Sequence, residues 1–408
     1  MMRTACTALE MPPDMTADLS AIADIVSDAQ TWRRDLHAHP ELMFDVERTA
    51  KFVGDHLQAF GCDEVVHGLG RTGVVGIING QRGDGPTIGL RADMDALPIH
   101  EETGAAYQSR SPGKMHACGH DGHTAMLLGA ARHLARTRDF SGRVALIFQP
   151  AEEGGGGGKV MIDDGLMERF AIQSVYGLHN MPCMPVGSFA IRAGAMMAAT
   201  DSISIRVDGQ GGHAASPHTT IDPVLIGAQI VAQAQGIVSR NVDPLASAVL
   251  SITMFHAGDV NNVIPPQAQL SGTVRTFDAG VQQLIETRLR QLVQGIASAH
   301  GARAHLDYQR GYPVLRNHAN ETVHAARIAA SLVGAAQVDT ATAPIMAAED
   351  FAYMLDARPG AFIFMGNGDS AGLHHPAYDF NDAALPYGIA YWIALAKANG
   401  AESVRVNA

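Results

Sequence analysis

The chain contains 19 histidines, and several of them lie close to acidic residues or to a cysteine. The densest group is the segment MHACGHDGH, in which Cys118 and His120 are two positions apart. A thiolate and an imidazole at this short spacing can reach the same ion, and both are typical ligands of zinc-like divalent metals. The spacing therefore predicts that Cys118 and His120 bind a metal.

The adjacent carboxylates Glu152 and Glu153 form a second group with a clear chemical use. Two neighbouring carboxylates repel each other, so burying both requires a compensating cation. Successive side chains at the end of a strand point in different directions. One carboxylate can therefore bind a metal while its neighbour moves protons. The alternative is a solvated acidic turn before the glycine run at residues 154–158.

The elements that must position these groups are short apolar runs that alternate with helical segments. Strands are predicted at residues 73–78, 87–91, 143–148, 174–178 and 360–365, and a helix is predicted at residues 121–135. A further helix is predicted over residues 16–36, with Thr16 as its N-cap. The alternation predicts an α/β domain with a mostly parallel sheet.

The candidate metal-binding side chains follow these predicted strands directly. They are Asp93 and Asp95, Glu152 and Glu153, His179, and His374 with His375. Ligands of α/β sheets gather at the carboxyl ends of the strands, so side chains far apart in sequence can meet there. A single such residue is more often an ordinary loop residue, but several at equivalent strand ends predict a shared site.

From Asp201 onward the pattern changes to long alternating strands and two helices. Their order is β-α-β-β-α-β, which predicts a compact ferredoxin-like unit. We place this inserted domain at residues 198–308. The catalytic metal-binding domain would then consist of residues 1–197 and 309–408.

Composition excludes several classes of function. The formal net charge of −12 and the absence of clustered Lys and Arg argue against a nucleic-acid partner. No apolar segment is long enough for a signal peptide or a membrane span, so we expect a cytoplasmic protein with a small-molecule substrate and no membrane partner. The four cysteines are too scattered for a disulfide framework.

Two other classes of function remain as alternatives. The segment GDSAG places Ser370 in the pattern of a nucleophile elbow, which would make the protein a serine hydrolase. However, Pro376 follows where a helix is required, and the last histidine of the chain is His375, too early to complete the usual order of the triad. A non-catalytic metal-binding protein is the second alternative, but it would have no use for Glu152 beside Glu153.

A family resemblance is carried by a series of ordered motifs between about Arg33 and Asp382. The motifs are RRDLHAHPEL, RADMDALPI, MHACGHDGHTAMLLGAA, FQPAEEGGGGG, LHN, GGHAASPH, NVIPP, GTVRTF, AEDFAYM and LHHPAYDFND. Together they resemble the M20 metallopeptidase family, in the amidohydrolase branch that includes hippurate hydrolases, N-acyl-amino-acid amidohydrolases and plant auxin-conjugate hydrolases.

The resemblance implies a metal-dependent hydrolase that cuts the amide bond of an N-acyl amino acid or a related, hippurate-like conjugate. It implies a catalytic domain interrupted by a lid domain, and two divalent metal ions, with Zn, Mn, Co or Ni as candidates. It also implies a homodimer or higher homo-oligomer formed through the lid. The implied metal ligands are Cys118, His120, Glu153, His179 and His374.

The resemblance also implies roles for residues around the ligands. Glu152 would be the catalytic carboxylate, His213 of the lid would stabilise the oxyanion in the same subunit or across a subunit interface, and Asn262 and Arg275 would hold the substrate's carboxylate. The alternative for His213 is an ordinary turn residue after two glycines.

The chain departs from the wider family at one position. Arg91 stands where the wider family has a histidine two residues before the first aspartate, Asp93. Because of this departure, we expect Cys118 and His120 to bind the metal. Asp93 is expected to orient a ligand instead.

Overall fold

The computed structural model describes residues 22–399. The α-helices are α1 (Ala23–Ala38), α2 (Glu47–Phe60), α3 (His120–Thr137), α4 (Gly157–Asp163), α5 (Leu166–Arg169), α6 (Pro223–Asn241), α7 (Ala279–Ala299), α8 (Ala319–Val333), α9 (Phe351–Ala357) and α10 (Leu385–Ala398). The predicted Thr16 cap and Cys6 lie outside the described residues.

The strands are β1 (Glu64–Leu69), β2 (Gly73–Asn79), β3 (Thr87–Asp93), β4 (Arg143–Gln149), β5 (Ile172–Pro182), β6 (Phe189–Ala190), β7 (Gly194–Met197), β8 (Ala199–Asp208), β9 (Gly212–His213), β10 (Ala248–His256), β11 (Val263–Ile264), β12 (Gln267–Thr276), β13 (Arg303–Arg310), β14 (Leu315–Asn317), β15 (Val338–Asp339) and β16 (Gly360–Gly368).

The chain divides into two compact units. Within the described residues, the first unit consists of the chain up to Gly194, Arg316–Ala343, and the chain from Tyr353 onward. The second unit consists of Ala195–Leu315 and Pro344–Ala352.

The first unit contains an eight-stranded sheet with the order β1-β2-β4-β3-β5-β16-β6-β15. The four central strands β4, β3, β5 and β16 run parallel, whereas β1, β2 and β4 pair antiparallel at one side. Every residue of β3 is buried, which is typical of a parallel strand covered on both faces. The predicted α/β class with a mostly parallel sheet is confirmed.

The parallel centre of the sheet explains how the site is assembled. The strands β3, β4, β5 and β16 point the same way, so their carboxyl ends lie at one edge. Leu90, Leu146 and Ile363 on three of these strands are fully buried in one apolar core. The strands are therefore rigid supports for the polar residues that follow them.

The second unit is built on a four-stranded antiparallel sheet with the order β10-β12-β8-β13. Along the chain its elements follow as β8-α6-β10-β12-α7-β13. Alternate residues of β8, such as Ile203, Ile205 and Val207, are buried and pack in one cluster with Ile226 and Leu289 of the two helices. The predicted ferredoxin-like unit is confirmed.

Side-chain caps start both helices of this unit. Asp222 accepts a hydrogen bond of 2.8 Å from the N–H of Val224, and Asp278 accepts one of 2.8 Å from the N–H of Gly280. Such caps satisfy backbone donors that have no partner inside the helix. Over residues 22–399, every helix is too short or too polar to span a lipid bilayer.

Candidate metal centre and catalytic carboxylate

Cys118 and His120 lie at the start of α3, where the backbone makes a left-handed turn. Gly119 between them has φ +94°, a conformation that favours glycine. The side chain of His120 is fully buried and that of Cys118 is nearly so. The turn places the sulfur of Cys118 and the imidazole of His120, two positions apart, in the same buried space.

Cys118, His120 and His179 form the first group of converging ligand atoms. Their ligand atoms all lie within 4.8 Å of one another, and Cys118 Sγ is 3.3 Å from His179 Nε2. His120 Nδ1 donates to the carbonyl of Asp95 at 2.8 Å, and His179 Nδ1 donates to the carbonyl of Asn180 at 2.7 Å. These hydrogen bonds leave the Nε2 lone pair of each imidazole available to an ion.

Cys118, Glu153 and His374 form a second group with the same closeness, within 4.8 Å. His374 Nε2 lies 3.3 Å from Glu153 Oε1. The backbone of His374 has φ +64°, and its N–H donates to the carbonyl of Ala117 at 2.8 Å. The structure therefore brings all five sequence-predicted ligands together in two groups that share the sulfur of Cys118.

The donor set fits divalent metal ions. His120 Nε2 is buried without a hydrogen-bond partner among residues 22–399, and such an orphaned atom is costly unless an ion satisfies it. Sulfur, imidazole nitrogen and carboxylate oxygen are the ligands that zinc and similar metals take. His120 is one of the five residues that the family resemblance assigns to the metal.

The electrostatics of the site favour positive charge. Burial, followed by the charges of Glu153 and Glu152, raises the pKa of the Cys118 thiol well above its usual value. Burial alone would lower the pKa of His120, but the neighbouring Asp93 and Asp95 raise it to about 10. A bound cation would oppose both effects by favouring the thiolate and the neutral imidazole.

Glu152 is buried beside the ligands. Its carboxylate forms a group with the imidazole of His120 and the carboxylate of Glu153 in which the ligand atoms lie within 4.8 Å of one another. Ala151, immediately before it, has φ +54°, an uncommon conformation for a residue with a side chain. This kinked turn after β4 places two consecutive carboxylates at the site.

Asp93 is occupied by other partners. Its Oδ2 accepts from Arg91 at 2.7 Å, and its Oδ1 lies 2.6 Å from His123 Nδ1. Burial would raise the pKa of Asp93, but the positive charges of His120 and Arg91 hold it well below its usual value. Arg91, the departure from the wider family, thus pairs directly with Asp93, which agrees with an orienting role for this carboxylate.

Three residues near the ligands escaped the sequence reasoning: His123, Asn180 and Tyr378. His123 Nε2 lies 2.7 Å from Asn180 Oδ1, and Asn180 Nδ2 donates to the Tyr378 hydroxyl at 2.6 Å. The second histidine of the HDGH segment and the asparagine of LHN were visible signals, whereas nothing in the sequence singled out Tyr378.

His213 and Asn262 lie together in the second unit. His213 pairs with Val263 in the short β9–β11 ladder, and the carbonyl of Asn262 accepts from the N–H of Ala214 at 3.0 Å. Arg275 lies on the separate four-stranded sheet, half-buried, and donates to the carbonyl of Val274 at 3.1 Å. The structure thus joins His213 with Asn262 but places Arg275 on another sheet.

Ser370 has ordinary loop contacts. Its hydroxyl accepts from Asn367 Nδ2 at 3.1 Å and donates to the carbonyl of Ala371 at 3.2 Å. A nucleophilic serine is instead hydrogen-bonded to its general base. These contacts do not favour the serine-hydrolase alternative.

Comparison with known proteins gives concordant matches. Residues 89–398 match the sequence profile of the peptidase family M20/M25/M40. A hippurate hydrolase from Campylobacter jejuni is 42% identical, with 92% of this chain and 97% of the relative covered. An N-acyl-L-amino acid amidohydrolase from Geobacillus stearothermophilus is 46% identical, with 72% of this chain and 79% of the relative covered.

Solved structures agree with the sequence comparison. A Bacillus subtilis protein described as a dinuclear metal binding peptidase of the M20 family superposes with a TM-score of 0.79. It is 35% identical, and the match covers 92% of this chain and 98% of that one.

Proposed function

Because the chain belongs to the peptidase family M20/M25/M40, we propose that it is a metal-dependent amidohydrolase that cleaves the amide bond of N-acyl amino acids or related small conjugates. The family resemblance predicted from the motifs is confirmed by these matches. The similarity to a hippurate hydrolase and to an N-acyl-L-amino acid amidohydrolase supports the substrate class.

The observation that carries the proposal is the sharing of Cys118 by two ligand groups, with Glu152 beside them. The cofactor is a pair of divalent metal ions, for which Zn, Mn, Co and Ni are the candidates. Cys118, His120 and His179 would hold one ion, and Cys118, Glu153 and His374 the other. A single sulfur in both groups favours a paired site over two separate ones.

The reaction is hydrolysis. When bound, a pair of divalent ions would increase the acidity of a water molecule and polarise the scissile carbonyl. Glu152 accepts the proton of the attacking water and delivers it to the departing amine nitrogen, a role typically worth about 10² to 10⁴ in rate. Its buried position next to Glu153 supports this assignment, because a carboxylate beside the metal ligands is within reach of a water molecule that binds there.

The second unit contributes the remaining proposed roles. His213 donates a hydrogen bond to the carbonyl oxygen as negative charge develops there. Asn262 and Arg275 bind the carboxylate of the amino-acid half, for which a guanidinium is well suited. We assign the lid to residues 198–308, as predicted from the sequence, and the catalytic domain to residues 1–197 and 309–408.

The oligomeric state and the location are also proposals. The lid is proposed to mediate a homodimer or higher homo-oligomer, and exposed apolar side chains on and beside its edge strand β10, such as Met254 and Phe255, support this. A cytoplasmic location remains as predicted from the sequence.

The test is an assay of the full-length protein, reconstituted with Zn, Mn, Co or Ni, on a panel of N-acyl amino acids. The panel varies the acyl group among acetyl, benzoyl, long-chain and indole-acetyl, and released amine is measured. Turnover that disappears with a chelator and returns with metal supports the proposal. No turnover across the panel, or turnover that survives complete metal removal, contradicts it.

A further inference from the structure

Gly119 is packed so closely by its neighbours that a side chain would not fit at this position. A Cβ atom at this position would overlap Asn180 Oδ1 and would lie 2.7 Å from the hydroxyl of Tyr378. Both neighbours are fully buried, so neither can move aside into solvent. The turn between Cys118 and His120 is therefore in direct packing contact with two polar side chains.

Asn180 contacts several segments that carry the proposed metal ligands. Its carbonyl accepts from Nδ1 of His179, while its side-chain amide donates to Tyr378 at 2.6 Å and its backbone N–H lies 3.0 Å from His123 Nε2. One asparagine thus contacts the proposed ligand His179, the turn that carries Cys118 and His120, and the segment after His374.

Tyr378 packs the segment after His374 against the start of α3. Its ring and hydroxyl are buried, and two residues later the ring of Phe380 occupies the space where a Cβ of Gly122 would lie. Two glycines of the helix start, Gly119 and Gly122, are thus each covered by a residue that follows His374. The segment that carries His374 is therefore packed against the turn that carries Cys118.

We infer that Asn180 and Tyr378 are positioning residues. By packing against the turn at Gly119, they fix the positions of the metal ligands relative to one another. The inference rests on the proposed metal centre. Neither side chain belongs to the ligand set. They act through Cys118, His179 and His374, in the way that residues behind metal ligands commonly tune affinity by 10- to 100-fold.

The Tyr378–Asn180 hydrogen bond can be removed by a substitution that keeps the aromatic ring and its packing. Tyr378→Phe keeps the ring and removes the hydroxyl, so Asn180 Nδ2 loses its acceptor and only the contact of Asn180 Oδ1 with His123 Nε2 at 2.7 Å still holds the amide. Tyr391 is a matched control, because it is also fully buried in the first unit and its hydroxyl has no hydrogen-bond partner in the described part of the chain.

The experiment compares wild type, Tyr378→Phe and Tyr391→Phe as full-length, metal-free proteins titrated with Co²⁺. Absorption reports the thiolate-to-cobalt charge transfer and the coordination geometry, and competition with a chelator reports affinity. We expect Tyr378→Phe to bind Co²⁺ about 10- to 100-fold more weakly and with a shifted spectrum. Tyr391→Phe should match wild type in both.

Unchanged affinity and spectrum in Tyr378→Phe would overturn the inference while leaving the metal centre intact. A wild-type protein that shows no thiolate-to-cobalt band would overturn the proposed function as well. If Tyr378→Phe does not fold, Asn180→Leu provides the second test, because it keeps about the size of the side chain but can neither donate a hydrogen bond to Tyr378 nor accept one from it. Wild-type cobalt binding by Asn180→Leu would contradict the positioning role.

Discussion

Asp95 Oδ1 accepts a hydrogen bond of 2.9 Å from the backbone N–H of Glu152. The other carboxylate oxygen accepts from the N–H of Glu153 at 3.0 Å, and the carbonyl of Asp95 accepts from His120 Nδ1 at 2.8 Å. One aspartate therefore orients the proposed proton carrier and two proposed metal ligands. Among residues 22–399, Asp95 itself belongs to none of the candidate ligand groups.

We predict that Asp95→Ala lowers kcat by about 10- to 100-fold, because the turn that presents Glu152 and Glu153 loses both of its acceptors. Asp95→Asn should be less damaging, since one carbonyl oxygen remains for one of the two N–H groups. Steady-state kinetics with the best substrate of the panel, together with metal content, measure the effect. Equal activity of Asp95→Ala and wild type would refute the role.

We predict that Glu152→Gln retains its metal ions but loses about 10² to 10⁴ in kcat, because glutamine is similar in size and cannot carry the proton. Ser370→Ala is the matched control and should keep full activity. Metal analysis and kinetics on the same samples distinguish a loss of chemistry from a loss of metal. The serine-hydrolase alternative predicts the reverse, with Ser370→Ala inactive and Glu152→Gln active.

The shared sulfur makes a prediction about stoichiometry. Cys118→Ala removes a ligand from both groups and should lose most of both ions, whereas His374→Ala removes a ligand from one group and should lose mainly one ion. Elemental analysis after dialysis measures the metal-to-protein ratio. Cys183→Ala, at an exposed cysteine, is the control and should bind as wild type does. Equal losses in Cys118→Ala and His374→Ala would argue against a shared ligand.

We expect Arg275→Ala to raise KM by about 10- to 100-fold with a smaller change in kcat, because a charge-assisted hydrogen bond to the substrate's carboxylate contributes about 1.5 to 3 kcal/mol. Arg275→Lys should recover only part of the affinity, since an ammonium cannot form the same two parallel hydrogen bonds. Arg206→Ala, at an exposed arginine of the neighbouring strand β8, is the control. An unchanged KM in Arg275→Ala would rule out this contact.

His37 should make stability depend on pH. Burial alone would lower its pKa, but Asp121 at 2.8 Å and Glu101 at 3.2 Å raise the pKa from 6.5 to about 9. The protonated form therefore stabilises the folded state fully below pH 6.5, and this contribution of roughly 3 kcal/mol is lost as the pH rises through 9.

Urea denaturation of the metal-free protein between pH 6 and pH 9.5 measures this dependence. The free energy of unfolding of wild type should fall over this range, and the fall should be smaller in His37→Gln. His256→Gln, at an exposed histidine, should behave as wild type does. Parallel curves for wild type and His37→Gln would show that His37 does not couple to folding.

Much of the fold could be predicted because its signals are local. The alternating residues of β8 and the order of elements after Asp201 specify the ferredoxin-like unit, since side-chain direction follows the backbone period. The buried run of β3 likewise predicts a strand covered on both faces. The antiparallel pairing of β1 with β2 was not predicted, because nothing in these short runs distinguishes an edge hairpin from a central strand.

The sequence alone determined which side chains could bind a metal and that they follow strands whose carboxyl ends meet. Only the tertiary structure decided that Cys118 belongs to two ligand groups, that Asp93 pairs with Arg91 and His123, and that Asn180 meets Tyr378, a residue 198 positions away. Residue type and strand position are properties of short segments. Contacts between distant side chains instead depend on how closely the segments pack, and here the close packing leaves no room for a side chain at Gly119 or Gly122.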